Sequence, residues 1–410
     1  MIGPSRLGAR LAAAILAGGM ILALGACGDD RPEVTIYCSV DDHVARPILA
    51  EFERTQGIRV NARFDAEATK TTGLVNRIRA ERDRPQADLL WSSEPFMTVQ
   101  LAEEGLLDAP PEDVAPSHPE AWRDESRRWH AFAGRARVIV YAPDRVPQER
   151  LPRTWMDLVR PWWKDRVVMA DPRFGTTRGH VGAMEAYWSR EVMPGYFEAF
   201  LEGLAENGVR MLPGGNAAVV EAVAAGEADV GLTDTDDVWI ARDRGLAVAF
   251  VLPRHAPDER EGGGTLVVPN TAALVRGGPS RAAAIALLEH LLSAEVEAAL
   301  LASPSRNIPL VHAGEITSDR LEAVAVADPL RIDLARAARA MDRAVAETVR
   351  RLSEVRLAPA TREVEEDLDA ELGESLNENL NERSRHESAL ATEHPGVDPA
   401  RDESSEGSAG

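Results

Sequence analysis

The chain has 410 residues, 44% of them hydrophobic and 5% aromatic, enough for two domains or one two-lobed domain around a real core. Its formal charge is −21, and residues 361–410 carry about half of that excess, with 15 Asp or Glu against 4 Arg. So acidic a body argues against nucleic acid as a partner and excludes little else.

Arg6 and Arg10 give the start of the chain a positive character, and Leu11 to Leu22 is an apolar run too short for a comfortable membrane span. Leu24-Gly25-Ala26-Cys27 follows. Small residues before a cysteine resemble a bacterial lipobox. That implies a signal peptide over residues 1–26, cleavage before Cys27 and acylation of its thiol. An ordinary cleaved signal or an anchor helix are the alternatives. With Cys27 lipidated, Cys38 has no partner and no disulfide forms. Cys38 lies in an apolar run and reads as a small buried hydrophobe.

Val34–Cys38 is rich in β-branched residues and reads as a first strand. Ala45–Thr55 reads as a helix with Ile48, Leu49 and Phe52 on one face, stopped by Gly57. Ile58–Phe64 is a second strand, Thr69–Arg82 a second helix facing inward with Leu74, Val75 and Ile78, and Asp88–Trp91 a third strand. This βαβαβ order with short links predicts parallel strands and an α/β fold. Strands are predicted again at Arg137–Tyr141, Arg166–Ala170, Asp229–Leu232 and Thr265–Pro269. Helices are predicted at Val181–Arg190, Tyr196–Asn207, Ala217–Ala225, Arg281–Leu292 and Ala294–Ala302. A C-terminal helix is predicted over residues 327–357. Leu334, Ala338, Met341, Val345, Thr348, Leu352 and Val355 step by 4 and 3 along it, a seam for a coiled coil or for the protein's own lobe. Residues 361–410 lack the apolar side chains to offset ordering entropy and read as a disordered acidic tail.

Several segments resemble the periplasmic ferric-ion-binding proteins of ABC importers. They include Val34-Thr35-Ile36-Tyr37, Phe52 to Val60, Pro85 to Trp91 and Gly134 to Tyr141, with Pro172 to Thr177 and Ser303 to Leu310 further on. They keep family order over roughly residues 33–312. The resemblance implies a two-lobed periplasmic-binding-protein-like fold with crossing strands near Arg137–Tyr141 and Thr265–Val268. Lobe 1 would be residues 33–134 and 268–325, and lobe 2 residues 135–265. Ligand would bind between lobes that close on it by a hinge motion, and the closed form would be read by a permease.

Phe174-Gly175-Thr176-Thr177-Arg178-Gly179-His180 falls between a strand and a helix. Glycine allows close backbone approach, and amides and hydroxyls at a helix N-terminus favour an anion. The resemblance implies an anion site at this turn, with Thr176 and Thr177 as its donors. Arg178 either joins the anion or faces water. Asn216 is an N-cap by its residue type and matches a family position that reaches the cleft. Thr233-Asp234-Thr235-Asp236-Asp237 follows a buried strand, at the edge where α/β folds place ligands. Three carboxylates in five residues need solvent, a helix N-terminus or a cation. The ferric-binding family carries two adjacent tyrosines where Asp236 and Asp237 align, so their replacement puts ferric iron in doubt. Aspartates are hard donors for a metal and equally suit an ammonium group. Glu94 lies near the family's acidic ligand, and His43 about two residues from its metal-binding histidine.

The expected protein is thus a monomeric, membrane-anchored lipoprotein of the periplasm or cell surface, working with an inner-membrane ABC permease. No catalytic motif is present: there is no Gly-x-Ser-x-Gly elbow, P-loop or His-Glu-x-x-His helix, and a binding role without a cofactor is expected. Its cargo is either a metal ion with a companion anion or a small organic anion or zwitterion. The hydroxyl and amide groups would form one wall of the cleft and the carboxylates another. A scaffold or sensor lipoprotein using the C-terminal helix is the remaining class.

Overall fold

The computed structural model describes residues 31–65 and 71–353. The signal segment with Cys27, the expected helix start at Thr69 and the acidic tail 361–410 lie outside the described residues. The fold is α/β, two halves carried on one run of paired strands.

Strand β1 (Glu33–Cys38) lies between β2 (Arg59–Phe64) and β3 (Leu89–Ser92), parallel to both. Helix α1 (Asp42–Gln56) joins β1 to β2 and buries Val44, Ala45, Ile48, Leu49 and Phe52, the 3-and-4 spacing of one helical stripe. It ends where Gly57 turns left-handed at φ 66° and its N–H donates to the Glu53 carbonyl. Helix α2 (Thr72–Ala80) precedes β3. Helix α3 (Phe96–Glu103) follows it and is not expected from the sequence: six of its eight residues are buried, which leaves too few polar positions to reveal a period.

The longest strand is β5 (His130–Tyr141), buried at every position. The apolar pattern marks only its second half, because Gly134, Arg135 and Arg137 interrupt the run. Its first half pairs antiparallel with β10 (Val267–Val275) and its second half with β8 (Val230–Asp234). β5 therefore carries the chain from one half of the sheet to the other. β6 (Val167–Ala170) runs parallel to β8 and to β7 (Arg210–Leu212). The order is β2-β1-β3-β10-β5-β8-β6-β7, with β4 (Leu107–Asp108) beside β10 and β9 (Ala249–Val251) beside β5. The α/β units are parallel, as their order predicts, and the strands that join the two halves pair antiparallel.

The second half carries α4 (Gly175–Tyr187), α5 (Tyr196–Glu206), α6 (Gly215–Ala224) and α7 (Thr235–Asp243). In the first half, α8 (Arg281–Leu291) and α9 (Ala294–Ala302) cover Ile36, Trp91 and Leu274. A further apolar cluster runs from Tyr37 and Phe96 through Trp155 and Trp188 to Met341 and so joins the halves.

Residues 334–353 form the last described helix. Its seam residues Ala338, Met341, Val345, Thr348 and Leu352 are buried against the protein's own body. It touches both halves. Gln100 Nε2 of α3 donates to the Ala338 carbonyl at 3.0 Å, and Arg343 pairs with Glu185 of α4. Gly182 of α4 makes the approach possible, since a Cβ there would stand 2.8 Å from the Ala337 carbonyl oxygen and 2.9 Å from Met341 Cα. Both neighbours are backbone, so they cannot step aside cheaply. Gly182→Ala is therefore expected to destabilise by about 1–3 kcal/mol through overpacking, read as a lower urea midpoint at unchanged slope.

Candidate functional site

Three helix N-termini converge on one hollow. α4 brings Gly175, Thr176 and Thr177, α6 brings Gly215 and Asn216, and α7 brings Asp236 and Asp237 just after Asp234 at the end of β8. α4 and α7 both start earlier than their apolar periods suggest, so these polar residues occupy first turns and not loops. Gly175 at φ 55° and Gly215 at φ 72° adopt a backbone that L side chains rarely take. The helix ends give the hollow a partial positive character from unsatisfied N–H groups.

The hollow is partly open to solvent, with a cavity volume of about 40 Å³. Ser93 and Arg135 line it too, and both continue into a second hollow with Asp41, Asp236, Asn270, Ser305 and Asn307. The cleft thus draws on both halves of the sheet.

Its floor is a buried ion cluster. Arg137 Nη1 lies 2.8 Å from Asp234 Oδ1, and Arg135 Nε lies 3.2 Å from Asp234 Oδ2 and 3.5 Å from Asp236 Oδ2. Asn216 Nδ2 donates to Asp234 Oδ2 and to Thr176 Oγ1, each at 2.8 Å, and the Thr176 hydroxyl donates to Asp234. Thr177 Oγ1 donates to Asn216 Oδ1 at 3.2 Å. Asp234, Arg137 and Arg135 are 1%, 0% and 6% exposed. Burial alone would raise the Asp234 carboxyl, but Arg137, Arg135 and the Thr176 hydroxyl more than reverse it, and its pKa falls. Burial likewise disfavours the Arg135 charge, and Asp236 and Asp234 outweigh it, so its pKa rises.

The cluster changes the chemistry available. Thr176 and Asp234 were expected on separate walls, and they are hydrogen-bonded to each other. Both Asp234 oxygens are taken by the protein's own donors. One oxygen each from Asp234, Asp236 and Asp237 lies within 4.8 Å of the others, close enough to share an ion. Asp236 and Asp237 line the hollow on the first turn of α7, where a helix dipole favours carboxylates.

The remaining expected residues point elsewhere. Thr233 is fully buried and donates to the Asn216 carbonyl behind the cleft. Arg178 binds Asp342 of the last helix and the Arg173 carbonyl, and does not line the hollow. Glu94 accepts the N–H groups of Phe96 at 2.8 Å and Met97 at 3.1 Å, capping α3 instead of facing a ligand. His43 is exposed on the first turn of α1 and lines neither hollow. Sequence reading passed over Arg135 and Arg137. The available signal was two arginines at i and i+2 in an apolar strand, hence on one face and in need of partners.

Two α/β halves with a polar cleft where they meet are the build of a periplasmic solute-binding protein. The chain belongs to the bacterial extracellular solute-binding protein family, whose model matches residues 34–303. It is 26% identical over 310 residues to iron uptake protein A1 of Synechocystis, covering 71% of this chain and 82% of that protein. It is 27% identical over 296 residues to the major ferric iron-binding protein of Neisseria meningitidis, covering 70% and 83%. The Trichodesmium FutA protein, solved with iron and citrate, superposes with a TM-score of 0.64 at 22% identity, over 78% of this chain and 99% of that one. This last likeness speaks for the fold alone. Among the described residues no helix is long and apolar enough to cross a membrane.

Burial pushes the Glu94 carboxyl up to about 7, against the pull of the Met97 and Phe96 N–H groups and of Arg178. A raised carboxyl stabilises the fold fully below its unfolded value, and that contribution disappears as pH climbs through 7. Glu94→Gln keeps an acceptor for the cap without the charge. Its stability relative to the parent protein should improve by about 2–3 kcal/mol between pH 5 and pH 8, measured by urea unfolding at both values.

Proposed function

We propose that this protein is the lipid-anchored, extracytoplasmic substrate-binding component of an ABC importer, held to the membrane at Cys27 and acting as a monomer. Its lobes, residues 33–134 with 268–325 and residues 135–265, close on the ligand and present the closed form to a permease. No bond is made or broken in this role, and no cofactor is required.

The cargo on this reading is a metal ion carrying a companion anion. One observation supports it above the rest: a single hollow sets Thr176, Thr177, Asn216, Arg135 and three helix N-termini beside the Asp236 and Asp237 carboxylates. The anion lies against the backbone N–H groups of the helix ends and the Arg135 guanidinium, with Thr176, Thr177 and Asn216 around it, and the metal against the two outer aspartates. The relatives named for iron uptake and ferric iron binding favour iron as the metal.

A second reading, a small organic anion or zwitterion, draws on two further facts. Among the described residues none that lines either hollow is a tyrosine, and Asp234 is already satisfied by Arg135, Arg137, Thr176 and Asn216. An amine on Asp236 and Asp237 with its acid group on Thr176 and Thr177 fits the same cleft.

Native mass spectrometry with metal analysis of gently purified protein separates the two. Metal cargo predicts one iron per chain, no visible phenolate-to-iron band, and ferric citrate affinity at least about tenfold weaker in the Asp236→Asn/Asp237→Asn double variant. A metal-free protein carrying an amino-bearing organic acid would establish the second reading and end the first.

A further inference from the structure

A line of side-chain hydrogen bonds leaves the floor of the cleft and ends on the backbone of the returning crossover. Arg137 Nε donates to His180 Nδ1 at 3.2 Å. His180 Nε2 lies 3.1 Å from His255 Nε2, and His255 Nδ1 lies 2.9 Å from the Gly264 carbonyl oxygen. The two ends of this line dictate where each proton sits. A carbonyl only accepts, so the His255 proton is on Nδ1 and its Nε2 accepts. Arg137 only donates, so His180 Nδ1 accepts and its proton is on Nε2, aimed at His255. The two assignments agree at the point where the rings meet. One proton per ring satisfies every contact, and a second proton on either ring would set two N–H groups head to head or face a guanidinium.

The surroundings hold the pair in that state. His180 and His255 are 1% and 2% exposed. Trp155 packs on both rings at centroid distances of 4.5 and 5.8 Å, and Trp188 and Tyr187 flank His255 at 6.4 Å. Burial, reinforced by Arg137 and the neighbouring ring, keeps the His180 pKa well below the usual imidazole range, and burial sets His255 at about 4. The far end is anchored as well. A Cβ at Gly264 would meet the Asp328 carbonyl oxygen at 1.9 Å, and Thr265 N–H donates to that oxygen at 3.0 Å.

We infer that His180 and His255 are positioning residues of the ligand site, a neutral, tautomer-locked pair that aims the Arg137 guanidinium at Asp234 and through it sets Thr176 and Asn216. The inference rests on the cleft being the ligand site, as proposed above. Neither ring touches the ligand. The nearer one occupies the Nε–H of Arg137, which leaves Nη1 for Asp234, Thr176 and Asn216.

The test uses the full-length protein with 15N-labelled histidine and arginine, and ferric citrate as the ligand probe. At pH 7 the spectrum should show His180 protonated on Nε2 and His255 on Nδ1, with a slowly exchanging Arg137 Nε–H. His180→Phe removes both ring nitrogens at similar volume, and should abolish the slow Nε–H signal and weaken ferric citrate binding by about tenfold. His180→Asn restores an acceptor where Nδ1 was, and should keep the signal and bind within about threefold of the parent. Opposite tautomers, a protonated ring at pH 7, or equal loss in the Phe and Asn variants would overturn the positioning role. If the parent protein does not bind ferric citrate, the metal reading fails, and the tautomers with the Arg137 signal decide this inference unaided. Should His180→Phe not fold, His255→Asn keeps a donor for the Gly264 carbonyl but breaks the link between the rings. Arg137 still holds the His180 proton on Nε2, but that N–H loses its acceptor, so its signal should shift and exchange faster, and an unchanged His180 Nε2–H signal would overturn the inference.

Discussion

The cleft is organised around one carboxylate that is almost wholly withdrawn from water. Asp234 and Arg137 are directly opposed residues of the antiparallel pair β8 and β5, and Arg135 lies two residues along the same strand. A buried carboxylate and two buried guanidiniums are each costly, and together they are tolerable only if every oxygen finds a donor. That demand fixes the register between the strands, because a slip of one residue would turn these groups to the opposite face. It also draws in Thr176 from α4 and Asn216 from α6. The convergence of the helix ends and the pairing of the sheet therefore have a common electrostatic cause.

The inner cluster also determines what is left for a ligand. Asp234 is spent on the protein itself, while Asp236 and Asp237 stand further out on α7 and line the open space. The result is layered: a self-neutralised floor, helix N-termini that favour negative charge, and a pair of carboxylates that favour positive charge. A ligand that carries both signs fits this order better than a bare ion of either sign.

Packing supports the site from behind. Trp155, the two histidines and Trp188 fill the space between the arginines and the outer helices, and the helix over residues 334–353 closes over α3 and α4. Arg178 and Glu94 belong to this supporting layer. The first is tied to Asp342, and the second caps α3 while buried beside the arginines. Both stand within a few residues of the cleft in sequence, yet neither opens onto it.

What the sequence alone determined is whatever has a local physical cause. The βαβαβ unit is legible because α1 alternates by 3 and 4, its first strand is rich in β-branched residues, and Gly57 ends the helix with a left-handed turn. The segments Gly175 to Thr177 and Asp234 to Asp237 are legible because glycine, hydroxyl and carboxylate side chains concentrate at helix starts. Only the tertiary structure decided who binds whom. Arg137 finds Asp234 97 residues away, His180 and His255 meet across 75, and no periodicity records either encounter. The same holds for α3, too largely buried to show a period, and for His43, whose polar neighbourhood reads alike at a cleft and on an open surface. Local chemistry fixes propensity, but burial and charge pairing depend on neighbours that only folding supplies.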